Sequence, residues 1–214
     1  MEKALFLSLK VLAFDIPILV LAGGGLGWVL ARKSFPGREV VSLLLLLPIV
    51  LPPSVLGLYV LMLVGRVDLL KEAGFVFAFP ACVLGSLLPS LPIMIQSSRA
   101  AFAGVDRELE ETALTLGKSS WNVFFKITLP MARRTLLAGL ALSSARALGD
   151  FGTTLMIAGN IPGRTQTLPL YIYGQVGSLN FGRANAAALL LVAVGIVSLY
   201  LVRRLEAGAH ERVA

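Results

Sequence analysis

Two opposite charges, Arg146 and Asp150, stand four residues apart in the apolar stretch LALSSARALGDFGTTLMIA. That spacing puts them on one helix face, within pairing distance. Ionisable side chains inside a bilayer are costly, so they face a bundle interior or a water-filled cavity. Two roles fit: an ion pair that fixes where a helix breaks, near Gly149 and Gly152, or a gate or positive field on an anion path. The structural role is the simpler and is preferred. Ser143, Ser144, Thr153 and Thr154 flank the pair. Their hydroxyls suit a weakly binding polar path, or hydrogen bonds between helices. Pro52 and Pro53 join these as pathway or gate candidates, because they break backbone at membrane depth.

Little else in the sequence suggests chemistry. His210 is the only histidine and lies in a polar tail; Cys82 is the only cysteine and lies in an apolar run. This leaves no catalytic histidine constellation, no cysteine-rich metal site and no internal disulfide. Gly117-Lys118-Ser119 imitates the end of a phosphate-binding loop, but Thr112 stands where the motif needs its first glycine, and no strand precedes it. The expectation is a chain without catalytic residues, without a metal site, and without a nucleotide or other cofactor of its own.

The elements that must position these residues are membrane helices. The 214 residues are 57% hydrophobic and 14% charged, and mean hydropathy is +0.84. Soluble domains carry about a quarter charged residues. The net charge of +7 reads as loop lysines and arginines beside membrane spans, not as a nucleic-acid surface. Five spans are expected. The first is about Val11–Ala31, an uncleaved span and not a signal peptide, with Gly23 and Gly27 at a spacing that permits close helix contact. Asp15 is read as an interface residue or a helix-end charge near the outer end of this span. The second, about Val40–Val64, holds Pro48, Pro52 and Pro53, which must kink or break it. Broken backbone at membrane depth needs protein or a water-filled cavity around it, so Pro48–Ser54 is either pore-adjacent or a static packing kink. The third is about Phe75–Ser98, the fourth about Arg134–Phe151 and onward to Ile157, and the fifth about Ala184–Val202. Residues 158–183 are too broken for a span: Pro162-Gly163 marks a turn, and Thr167–Tyr173 suits a short interfacial or re-entrant helix on the outer side.

Gly104–Pro130 is the longest polar interval, within an expected loop over about 99–134, and it keeps a helical period. Val105, Leu109, Thr112/Ala113 and Leu116 make one stripe. Asp106 is the expected N-cap, with carboxylates behind it at the positive end of the helix dipole. Gly117 is the expected left-handed C-cap. Ser119 or Ser120 should cap a second helix, Trp121–Ile127, which Pro130 should stop before opening the next one. Such a helix–turn–helix between spans projects a shaped surface for another protein to grip. Arg32, Lys33, Arg38, Arg99, Arg107, Lys118, Lys126, Arg133, Arg134, Arg203, Arg204 and Arg212 lie on one side of the expected membrane, against Lys3, Lys10, Arg66, Lys71, Arg164 and Arg183 on the other. The richer side should be cytoplasmic, which places the amino terminus outside and the polar loop and carboxyl terminus inside.

A family resemblance rests on that loop. Glu111-Thr112-Ala113-Leu-Thr-Leu-Gly117, then Ile127-Thr128-Leu129-Pro130, resembles the E-A-A-x-x-x-G-x(9)-I-x-L-P signature of membrane subunits of type I ATP-binding-cassette importers, with Thr112 in place of the usual alanine. FPG at 35–37, LPIVLPPSVLG at 47–57, ARALGDFG at 145–152 and GNIPGRTQTLP at 159–169 are similar to molybdate importer permeases, Asp150 standing where those usually carry glutamate. The resemblance implies an all-α integral membrane protein of about five transmembrane helices, one permease domain over residues 1–214, in the plasma (inner) membrane of a prokaryote. It implies a homodimer on two cytoplasmic ATPase subunits, which use ATP and magnesium, and an extracytoplasmic molybdate-binding protein that delivers the oxyanion. Glu110, Glu111, Thr112, Ala113, Leu116 and Gly117 would form the coupling helix that the ATPase grips. Tungstate or sulfate is the alternative cargo. An ion-coupled secondary carrier acting alone is disfavoured by the lack of a clear repeat. A scaffold, for which the loop is only a docking site, is the third class.

Overall fold

The computed structural model describes residues 1–207, so His210 and Arg212 lie outside the described residues. Its regular elements are all helical. α1 (Glu2–Ile18) passes through a π-helical turn, Leu19–Gly23, into α2 (Gly24–Arg32). The first span therefore starts nine residues earlier than its apolar run suggested. Pro17 lies in the last turn of α1 and lacks the N–H of a regular ladder, and the wider turn follows it. Gly23 and Gly27 seat this helix on α6 (Phe79–Ala103): added β-carbons would lie 2.6 Å from Met94 Cγ and 2.4 Å from Ser98 Cβ.

The second span is not one helix. α3 (Arg38–Val50) and α4 (Pro53–Val64) meet at 113°. Proline disfavours the α conformation in the residue before it. Leu51, before Pro52, is extended (ψ 138°), as is Pro52 before Pro53 (ψ 134°). Pro53 then opens α4 at the first helical position, where its missing N–H costs nothing. Pro48, by contrast, stays inside α3. α5 (Asp68–Glu72) is a short connector. α6 runs unbroken through Pro89 and Pro92, both buried, and α7 (Arg107–Thr115) follows it.

Pro130 does not stop the helix that precedes it. α8 (Ser120–Val123) continues through a second π-helical turn, Phe124–Thr128, into α9 (Leu129–Leu148). Widening the helix just before Pro130 accommodates both the absent N–H and the ring. α9 ends at Gly149 and α10 (Gly152–Ala158) follows, so the fourth span breaks where the Gly149–Gly152 reading placed it. Residues 159–167 turn back: the Arg164 amide donates to the Ile161 carbonyl (3.1 Å) across Pro162-Gly163. α11 (Leu168–Gly177) is longer than expected and is buried at Leu168, Pro169 and Leu170. α12 (Phe181–Ala207) closes the described chain.

Glu2–Arg32 and Phe79–Ala103 are each long and apolar enough to cross a membrane, and the bent α3–α4 pair makes a third candidate. α9 is less apolar because it carries Arg133, Arg134 and Arg146. α6 is the central helix, packing against α2, α9, α10 and the first π turn. α10 is wedged between α4 and α6. Glycine makes this approach possible. A β-carbon on Gly57 would lie 2.7 Å from Met156 Cβ, and one on Gly85 would lie 2.8 Å from Thr154 Cα.

Candidate functional site

The break between α9 and α10 is organised by one carboxylate. Asp150 is 2% exposed. Arg146 Nη1 donates to its Oδ1 at 3.1 Å, and the Thr154 amide and hydroxyl donate to its Oδ2 at 3.0 and 2.9 Å. Asp150 thus closes the end of α9 through the last-turn arginine and caps the start of α10. The ion pair forms at the break between the two helices, as the spacing of four residues predicts. It leaves no oxygen of Asp150 without a partner, while Arg146, one-third exposed on its side chain, keeps part of its guanidinium open.

The proline break and this glycine break touch. The Thr153 hydroxyl donates to the Pro53 carbonyl at 3.2 Å. A β-carbon on Gly152 would stand 2.9 Å from Pro53 Cβ. Pro53, Thr153, Thr154, Arg146 and Asp150 are therefore one constellation, and Pro52 supplies its bend. Ser143 and Ser144 lie apart from it. Ser143 is buried and donates to the Leu140 carbonyl within its own helix (3.0 Å), and Ser144 is half-buried.

Asp15 corrects the sequence reading. It lies thirteen residues into α1, about 20 Å along the helix, and is fully buried, not at an outer end. Ser86 Oγ donates to Asp15 Oδ2 at 2.7 Å. Ser8, Asp15, Ser86, Asp150, Thr154 and Thr167 line one cavity of about 10 Å³, room for about one water. Ser8 Oγ in turn accepts from the Leu168 amide at 2.8 Å, tying α1 to α11. No spacing rule links Asp15 to Ser86, so nothing in the sequence announced this contact.

The polar loop forms the second constellation. Asp106 caps α7 by accepting from the Glu108 amide at 2.9 Å, and Ser119 caps α8 by accepting from the Asn122 amide at 3.4 Å. Gly117 adopts φ 80°, the left-handed conformation that other L-residues enter at a cost, and the Lys118 amide reaches back to the Ala113 carbonyl at 3.1 Å. The predicted apolar stripe splits. Val105 and Ala113 are buried, but Leu109 is 48% exposed and Leu116 is 77% exposed. Val105 precedes the helix and Leu116 follows it, so helical spacing does not govern either. The outer face presents Glu111, Thr112, Leu116 and Gly117 together with Leu109 and Leu114, apolar residues exposed in a polar loop. Trp121 and Phe125 stack at 5.9 Å.

Glu110 does not belong to that face. Its carboxylate is 2.9 Å from Arg32 Nη2 and accepts the Thr128 hydroxyl through the same oxygen; Arg32 also donates to the Val105 carbonyl at 3.3 Å. Glu110 therefore fastens the loop to α2 and to the helix that returns from it. Among the described residues no group of His, Cys, Asp and Glu side chains could hold a metal ion.

A bundle of helices broken at two touching points, with a helix–turn–helix tied to its end, suits a membrane transport subunit. The chain belongs to the family described as binding-protein-dependent transport system inner membrane component, whose pattern matches residues 23–210. Its curated relatives include the molybdenum transport system permease protein ModB of Escherichia coli K12, 37% identical, covering 94% of this chain and 90% of that protein. The ModB of Haemophilus influenzae is 35% identical (93% and 90%), and the sulfate transport system permease CysW of Synechococcus elongatus is 32% identical (100% and 77%). The fold is shared with a solved structure of the MetNI methionine ABC transporter, at TM-score 0.76 and 15% identity over 97% of this chain and 95% of that one. A transporter that imports alginate aligns at TM-score 0.74 and 15% identity, over 97% and 79%.

Proposed function

We infer that this chain is the permease subunit of an ATP-driven molybdate importer, one transmembrane domain over residues 1–214. What carries the cargo assignment is likeness over nearly the whole length to the ModB proteins. What supports the drive is the exposed patch around Glu111, Leu116 and Gly117 on a loop with no nucleotide motif of its own. Two copies would pair, each loop seated on a cytoplasmic ATPase subunit that binds ATP and magnesium. The amino terminus would lie outside and the carboxyl terminus inside, with residues 158–183 facing an extracytoplasmic binding protein. Closure of the ATPases would move the two loops together, and the ion pair Arg32–Glu110 would pass that motion to α2 and the bundle. The bend at Pro52–Pro53 and the break at Asp150–Gly152, in contact through Thr153, would repack as the pathway switches sides. This is rigid-body switching between two packings. Arg146 would offer positive charge to a passing dianion, while Asp150, held by Thr154, keeps it from binding too tightly.

The test is uptake of labelled molybdate by vesicles containing this chain, its ATPase and its binding protein. Uptake should need ATP and all three components. Glu111→Lys or Gly117→Trp should abolish it with the chain still inserted. Normal ATP-driven uptake by both variants would overturn the reading. Sulfate is the alternative cargo, consistent with the likeness to CysW, and as competitor it should act only through the binding protein.

A further inference from the structure

An apolar groove of about 780 Å³ runs along the loop end of the bundle, between the first span, α6 and the α8–α9 helix. Its floor includes Gly24 and Gly25, and a β-carbon added to either would meet nothing within 4 Å. Gly23 and Gly27 beside them are explained by their contact with α6. Gly24 and Gly25 have no such partner, although each glycine in a helix interior costs about 1 kcal/mol relative to alanine. Their bare backbone lies open along the groove. Trp28 and Trp121 wall the groove, as aromatic residues do at the membrane–water boundary. Arg133 lines it too, exposed, and Lys33 Nζ lies 5.9 Å from the Trp28 ring. Among the described residues no acidic side chain lines it.

We propose that this groove is a binding site for one anionic phospholipid, with an acyl chain laid on Gly24–Gly25 and the phosphate held by Arg133 and Lys33. The volume falls in the range of about 300–1,000 Å³ usual for small-molecule sites. Basic pockets between helices near a membrane face suit anionic headgroups. A second copy of this chain fits less well. A two-fold interface must be self-complementary, and among its described lining this surface offers Arg133 no carboxylate to pair with.

The experiment uses the full-length chain purified in mild detergent from vesicles of equal phosphatidylglycerol and phosphatidylcholine with matched acyl chains. Retained lipid is counted per chain by native mass spectrometry. About one phosphatidylglycerol should remain bound, at least tenfold above phosphatidylcholine. Arg133→Glu with Lys33→Glu should lower that retention at least tenfold without changing the fold, since both side chains are exposed. Gly25→Leu, which has room to be built, should fill the floor and displace lipid of either headgroup. Equal retention of the two lipids by the unaltered chain would overturn the proposal, as would undiminished phosphatidylglycerol in the charge-reversed variant. A disulfide formed between two chains carrying Leu137→Cys would also overturn it, by giving the groove to a second copy.

Discussion

If the polar loop is worked from outside and moves the bundle, the tie through Arg32 and Glu110 must be strong enough to carry the motion. The pair is separated by 2.9 Å, and its side chains are only 10% and 17% exposed. At an effective dielectric constant of about 20, the gross attraction is roughly 6 kcal/mol. Desolvation cancels much of it. The consequence of breaking such a pair is set by the charge left behind, typically about 3–5 kcal/mol when fully buried, and the residual exposure here brings the expectation to about 2–3 kcal/mol. Glu110→Gln keeps the shape and the Thr128 partner while removing the charge; Arg32→Met keeps the packing. Each should raise local opening of α7 by about 30–100-fold, a factor of ten for each 1.4 kcal/mol. Hydrogen exchange of amides 108–116 reads this directly. The double variant should lose less than the two singles together, with a coupling of about 1–3 kcal/mol. Unchanged exchange in both singles, or simple additivity, would refute the view that this pair fastens the loop.

Other residues give sharper, smaller tests. Asp150→Leu should leave Arg146 and Thr154 without their acceptor and lower stability by about 3–5 kcal/mol, read as loss of detergent-stable protein on heating; Asp150→Asn should be milder. Gly85→Val should force α10 away from α6, costing about 1–3 kcal/mol and changing the accessibility of a cysteine placed at Thr153. Gly117→Val should cost about 1–2 kcal/mol in the left-handed position and weaken binding of the ATPase without altering membrane insertion, measured by co-purification.

The features that local rules describe were readable before the structure. Asp106, Gly117 and Ser119 cap helices because capping depends on a few neighbouring residues. Arg146 and Asp150 pair because four residues make one helical turn. Pro52 and Pro53 announced a break, since proline constrains its own and the preceding residue, but not its angle, which depends on what α4 packs against. What failed depended on distance in sequence or on compensation. Asp15 meets Ser86 across 71 residues, and Glu110 meets Arg32 across 78. Pro130 was read as a stop and as the opening of the next helix; it does stand in the first turn of α9, but the chain runs into it unbroken by widening one helical turn before it. Leu116 was counted on one helical stripe although the helix ends at Thr115.

The central claim is that a separate ATPase grips the face made by Glu111, Leu116 and Gly117. The most direct measurement is cysteine cross-linking in the assembled importer, with Leu116→Cys in a chain whose buried Cys82 is replaced by alanine. The account predicts a covalent adduct with the ATPase subunit, formed from the cytoplasmic side, whose yield changes when ATP is added. Labelling of that cysteine only from the external face, with no ATPase captured in either nucleotide state, would contradict it.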